Sequence, residues 1–540
     1  MRTLIILFST FLIVSCTQKQ PVDAIYHSGK IYTVDNAFSV QEAFAVKNGK
    51  IVATGTNDEI LNNFSSSQII DLENKYVYPG FIDPHCHFYG YGLSLQWANL
   101  NGTNSFEEII EIIKKHHEKS ESKWILGRGW DQNDWDMKKF PSKEKLDEIF
   151  PETPVYLVRV DGHAAIVNSK ALEIAGFNEK TIIEGGQLEK KDGKLTGILL
   201  DNAKEALFDM IPEETREQKA EALIAAAKNC FAVGLSSVAD AGLKKETIEL
   251  MDSLQKSGEL KMRIYAMIES SDPASLELVK NGHYKTDYLN VRSIKMYADG
   301  ALGSRGALLL EDYSDDPGNK GILVNTQEYY DKICQLAYDN NFQVCTHAIG
   351  DGANRIILNT YTKFLNGKND LRWRIEHAQV VHPNDFQLFG KYNIVPSMQS
   401  THATSDMYWA EDRIGKERIK GAYALKTLMM QNGWIPNGSD FPVEHINPLY
   451  GFYAAVSRKD QEGFPEEGFQ IEDALSREEA LKAMTIWAAK SCFEENEKGS
   501  LEAGKFADFV ILDEDLLTID DSIIPKIIVK ETYIEGKKVH

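Results

Sequence analysis

The sequence predicts an α/β protein: a (β/α)8, TIM-like barrel with an inserted subdomain after strand one, plus a small β-sandwich domain built from both termini. Three observations carry this. From residue 81 onward, short apolar strand candidates alternate with helical stretches, the pattern of a parallel sheet wound with crossover helices. Both ends of the chain instead read as short strands and turns, too few at either end to bury a sheet face alone. Residues 100–215 fall between the first two barrel strands, far more chain than a crossover needs.

Taken in order, residues 1–20 predict a lipoprotein signal peptide and tether. Met1-Arg2 precedes an apolar run over 4–14, which ends at Ile13-Val14-Ser15-Cys16 before the polar Thr17, Gln18, Lys19 and Gln20. The run is too short to span a bilayer. It resembles a bacterial lipobox, with cleavage before Cys16 and lipidation of its thiol. No later stretch is long and apolar enough to cross a membrane. The mature chain is therefore expected at the bacterial cell envelope, lipid-anchored on a periplasmic or surface face, without a transmembrane helix.

Residues 21–80 together with 497–540 form the predicted composite β domain. Strand candidates lie at 24–34, at 43–54 with an Asn48-Gly49 hairpin signal, at 68–78, at 506–512 and at 526–534 before Glu535-Gly536. Residues 81–496 form the predicted barrel, including the insertion at about 100–215. Its strand candidates are 81–87, 236–241, 262–268, 291–297, 343–347, 371–377, 394–399 and 435–440. Apolar residues at helical spacing mark helices over 216–233, 326–338 and 477–490.

The 540 residues include 59 basic and 80 acidic side chains, a net charge of −21, which argues against a nucleic-acid partner. With 43% hydrophobic residues the chain can bury a large core, and six cysteines are no disulfide scaffold. Cys86, Cys230, Cys334, Cys345 and Cys492 read as buried thiols.

The chemistry gathers at strand ends. Side chains alternate along a strand, so His85 and His87 at the end of strand one share a face. His347 closes strand five, His377 strand six and Asp440 strand eight. Singly, each reads more readily as a hydrogen-bonded core histidine or a helix-capping aspartate. Jointly, four histidines and a carboxylate at the catalytic end of a barrel form a zinc-type ligand set. Mixed nitrogen and oxygen donors suit zinc first, with manganese, iron or cobalt as alternatives.

Several stretches then identify a relationship: Tyr78-Pro79-Gly80-Phe81-Ile82-Asp83-Pro84-His85-Cys86-His87, Arg159-Val160-Asp161-Gly162-His163, Asp299-Gly300-Ala301-Leu302-Gly303-Ser304-Arg305-Gly306-Ala307, and Gly438-Ser439-Asp440-Phe441-Pro442. As a set they resemble the amidohydrolase superfamily, and within it family 3, the YtcJ-like metal-dependent hydrolases. The resemblance runs from about residue 22 to the C-terminus.

It implies one or two divalent metal ions. His85, His87 and Asp440 would bind the more buried one, and His347 and His377 a second, bridged by Lys295 as N6-carboxylysine. With a single metal, His377 would polarise the substrate instead. The implied reaction is hydrolysis of a non-peptide C–N (amide-type) bond in a small molecule by metal-activated water, with Asp440 as general base and acid. Trp130, Asp131 and His163 are expected near the mouth, with Arg305 and His402 contacting substrate. Trp130, Trp135, Tyr297 and Trp409 suggest an apolar or aromatic group in the pocket. Where the family usually reads His-Asp-Ala-Gly, Ala239 precedes Asp240, so that histidine's role does not carry over.

Two readings compete: a mononuclear deaminase or cyclic amidohydrolase on the same scaffold, and a non-catalytic surface binding lipoprotein. The intact ligand set argues against the second. An oligomer is compatible with all of these features.

Overall fold

The computed structural model describes residues 18–118, 123–212 and 214–540. Cys16 and the predicted signal segment lie outside the described residues. Among the described residues, no helix is long and apolar enough to cross a membrane.

Seven parallel strands form the barrel in chain order: β1 (Phe81–Cys86), β2 (Leu235–Leu243), β3 (Arg263–Glu269), β4 (Leu289–Tyr297), β5 (Gln343–Ala348), β6 (Arg374–His377) and β7 (Val395–Ser397). The predicted eighth strand, 435–440, is not a regular strand. One bridge joins Met398 to Asn437, while Asp440 N–H donates to His85 O and His87 N–H to Phe441 O, both at 2.8 Å. The barrel closes, but irregularly, and the cause is local. Pro436 has no N–H to give, and Ser439 spends its N–H (3.1 Å) and Oγ–H (2.6 Å) on the Asp83 carboxylate. Gly438 is required here, because a Cβ would fall 2.6 Å from Asp83 Oδ1.

The predicted helix over 216–233 appears as Arg216–Ala232, opened by a capping box between Thr215 and Gln218. The predicted helix over 477–490 is instead two, Arg477–Ala483 and Ile486–Ser491. The break frees two carbonyls for the barrel seam: Ala483 O accepts from Asn437 N–H at 3.1 Å and Met484 O from Ile82 N–H at 2.9 Å.

The insertion is a six-stranded sheet, ordered Ala98–Asn99, Ile125–Trp130, Val155–Arg159, Ala164–Val167, Lys194–Asp201, Gly186–Lys191. Helix Phe106–His117 covers it, burying Ile109, Ile110 and Ile113 one helical face deep. At the chain's two ends, Phe509–Leu512 pairs antiparallel with Tyr76–Pro79, so residues from both termini share one sheet. That sheet packs on a second through Tyr26, Phe44, Phe509 and Tyr533, with the last two rings stacked at 4.3 Å. The Asn48-Gly49 turn joins Lys47 to Lys50 with φ of 51° and 74°, left-handed values that Asn and Gly tolerate.

Candidate active site

At the C-terminal mouth of the barrel, His85, His377 and Asp440 each offer a ligand atom, all within 4.8 Å of one another. Each side chain is aimed by a buried partner. His85 Nδ1–H donates to Glu376 Oε2 at 2.5 Å, which leaves its Nε2 facing the centre. Glu376 is in turn clamped by Arg374, with Nε 2.7 Å from Oε1 and Nη2 donating to Oε2 at 2.9 Å. Burial alone would raise the Glu376 carboxyl; the Arg374 and His85 charges outweigh it and hold that carboxyl far below its usual range. His377 Nδ1–H donates to Gln399 Oε1 at 2.8 Å, and Gln399 Nε2–H to Ser397 O at 3.2 Å, which orients the amide. Burial pushes the His377 imidazole well below its usual value, so it stays neutral, the form that donates to a metal.

Asp440 Oδ1 lies 3.3 Å from both His85 Nε2 and His87 Nε2. Yet this buried oxygen has no hydrogen-bond partner. A buried, unsatisfied carboxylate oxygen among inward-facing imidazole nitrogens is costly by itself and is satisfied by a divalent cation. The residues therefore fit a metal. His377 and Asp440 sit at φ of 72° and 61°, left-handed values that cost non-glycine residues energy and are held here by the surrounding seam.

Two predicted ligands lie beside this trio. Lys295 is fully buried, with Nζ 3.5 Å from His85 Nε2, and burial lowers its pKa. His347 packs its ring 4.6 Å from that of His377, but its Nε2 turns to Gly300 O at 3.4 Å and Asp299 Oδ1 at 3.5 Å.

A cavity of about 260 Å³ opens outward from the trio. His402 lines it, with Nε2 3.6 Å from Asp440 Oδ2 and Nδ1 3.2 Å from Glu444 Oε1. Burial opposes its charge, but Asp440 and Glu444 prevail and push its pKa up to about 10. From the insertion come Asp131 and Asp161, both paired with the buried Arg159, and His163, whose Nδ1–H donates to Asp201 Oδ1 at 2.7 Å. The His163 ring lies 5.0 Å from that of His347.

Two predicted residues are not at the mouth. Trp130 is buried in the core of the insertion, its indole N–H donating to Leu157 O at 2.9 Å and its ring against Trp135. Strand alternation turns it inward while Asp131, the next residue, reaches the cavity. Arg305 is drawn off by an ion pair with Asp315 at 2.8 Å, and the wall is formed by Ala301, Leu302 and Gly303 instead. Asp240 is a staple, accepting from Tyr89 N–H at 3.0 Å, and Ala239 packs in an apolar layer with Tyr265 and Met267.

Residues 68–540 match the family model described as "Amidohydrolase family". The chain belongs to the amidohydrolase family. It is 31% identical to the putative amidohydrolase YtcJ of Bacillus subtilis (strain 168), over 96% of this chain and 99% of that protein. It is 24% identical to the N-substituted formamide deformylase of Arthrobacter pascens, over 95% and 97%. Among solved structures, an uncharacterized metal-dependent hydrolase from Pyrococcus horikoshii OT3 superposes with a TM-score of 0.76 at 28% identity, covering 92% of this chain and 99% of that one. This amidohydrolase is accordingly a metal-dependent enzyme acting on C–N bonds other than peptide bonds.

Glu376, Gln399 and Asp201 were not anticipated. An Arg-x-Glu pair inside an otherwise apolar strand was the available signal for the first: same-face charges in a barrel interior must pair with each other or with a ligand side chain.

Proposed function

We propose that this amidohydrolase hydrolyses a small N-substituted amide, with one divalent metal, zinc by donor type, held by His85, His87, His377 and Asp440. The observation that carries this is the unpaired, buried Asp440 Oδ1 facing two imidazole nitrogens. When bound, the metal supplies a Lewis acid that polarises the carbonyl and brings water towards a neutral pKa. The chain's own residues do the rest. Asp440 takes the proton from the attacking water and returns it to the leaving nitrogen, one residue serving both steps. His402, held by Glu444 at 3.2 Å, is placed to donate to the carbonyl oxygen as negative charge builds there. Glu376 and Gln399 hold the two histidines in the tautomer that presents Nε2.

The N-substituted formamide deformylase relative supports formamides as the first substrates to try. Carboxylation of Lys295 would add oxygens for a second metal; the turned-away His347 Nε2 favours the one-metal form. The test is metal analysis of purified protein by plasma mass spectrometry, alongside a panel of N-substituted formamides, longer-chain amides and ring amidines. About one metal equivalent with formamide cleavage is expected. Release of ammonia from ring amidines alone would replace this reading with the deaminase one, and metal-free protein inert on the whole panel would overturn both.

A further inference from the structure

Outward from the metal end, the cavity continues into a second hollow of about 500 Å³, and the two share Asp134, Ser405 and Trp409. Three aromatic rings, Trp135, Tyr408 and Trp409, line this hollow among polar residues, and each ring has a packing or hydrogen-bond partner. Trp135 is held by its indole N–H, which donates to Thr103 O at 3.0 Å. Trp409 lies against Gly303, where a Cβ would come 3.1 Å from the indole. Tyr408 stacks on Phe464 at 5.7 Å and 12°, and its hydroxyl is bonded to Asp460.

The charges differ from those nearer the metal. There, Asp131 and Asp161 share Arg159, and Glu444 faces His402. At the junction, no hydrogen bond or ion pair among the described residues engages the side chain of Asp134. Asp136 adds a second carboxylate and Lys138 a single positive charge. Arg413, whose guanidinium lies 5.4 Å from the Trp409 ring, is itself paired with Asp315.

Aromatic rings and an exposed carboxylate without a direct partner are separate features that select the same ligand. The negative face of a π-system attracts a cation, a carboxylate does so by charge, and three fixed rings favour a flat partner over a branched one. We propose that the outer hollow is a subsite for the distal arm of the substrate, and that this arm is an aromatic group bearing an ammonium. This specifies the substrate of the hydrolytic centre and rests on that reading for its orientation, with the amide at the metal and the cationic ring outside.

The test is direct binding, independent of turnover. The full, metal-loaded protein is titrated with 2-phenylethylammonium, phenylacetate and n-butylammonium, followed by tryptophan fluorescence and calorimetry. The aromatic cation is expected to bind roughly tenfold more tightly than either of the others. Asp134→Asn and Trp409→Leu should each weaken it by about fivefold or more, with unchanged circular dichroism. Tyr408→Ala, at an exposed position, serves if Trp409→Leu fails to fold. Equal affinity for phenylacetate, or undiminished affinity in the folded variants, overturns the subsite. Cation binding without cleavage of any amide would fault the hydrolytic reading and leave the subsite standing; cleavage without selective cation binding would fault the subsite alone.

Discussion

At the metal end of the cavity each ligand histidine of the buried trio has a dedicated partner, Glu376 for His85 and Gln399 for His377, both fully enclosed. Away from that trio the polar groups are shared, water-facing or unpaired: along the cavity wall Arg159 serves two aspartates, and at the junction with the outer hollow Asp134 has no direct partner. The difference separates two tasks. Positioning a ligand nitrogen requires one orientation, and a low-dielectric setting makes a wrong one expensive. Selecting a substrate requires groups left unsatisfied until that substrate arrives. The inner end should therefore respond to substitution in metal affinity, stability and turnover, and the outer end in selectivity and pH dependence.

The largest expected effect tests the inner end. Asp440→Asn should lower kcat by about 10²- to 10⁴-fold through loss of the proton carrier, while at least one metal equivalent stays bound by the histidines. Steady-state rates and metal content on the same sample decide it, and full activity would remove Asp440 from the mechanism. Next comes Glu376→Gln. The substitution leaves Arg374 buried without its counter-charge, at a cost of about 3–5 kcal/mol, and loosens His85 enough to weaken metal binding about 10- to 100-fold. Denaturant unfolding and metal titration read the two effects separately. Adding Arg374→Met should recover much of the stability and none of the affinity; recovery of both would mean that Glu376 acts only as a counter-ion.

How much of this was legible beforehand follows the same division. The barrel strands announced themselves as apolar runs, and His85, His377 and Asp440 were legible because ligands sit at strand ends, where position in the chain predicts position in space. The eighth strand was misread because a segment's place in the strand–helix alternation does not show where its N–H groups go, and Ser439 gives its own to Asp83. The single helix over 477–490 failed similarly, since only the closed barrel has donors at Ile82 and Asn437 to claim the Ala483 and Met484 carbonyls. In the insertion, Trp130 and Asp131 are neighbours in sequence, and only the sheet's register decides which faces the cavity. Arg305 looked like a substrate contact because nothing in its vicinity showed that Asp315 would take its charge.

The smallest effect tests the cavity wall between the two ends through pH. Asp406 lines the cavity and accepts from Gln379 Nε2–H at 3.0 Å and Tyr423 O–H at 2.8 Å. Burial, against the opposing pull of His402, raises its pKa from 3.8 to about 7. The folded state therefore holds this proton more tightly than the unfolded chain. Its contribution to stability is complete below pH 3.8 and is lost as pH rises through about 7. Asparagine keeps an acceptor oxygen and cannot ionise. Asp406→Asn should match the parent near pH 4 and melt roughly 2 °C higher at pH 8. A variant that melts below the parent at pH 8 would show that the ionised carboxylate is wanted there, facing His402.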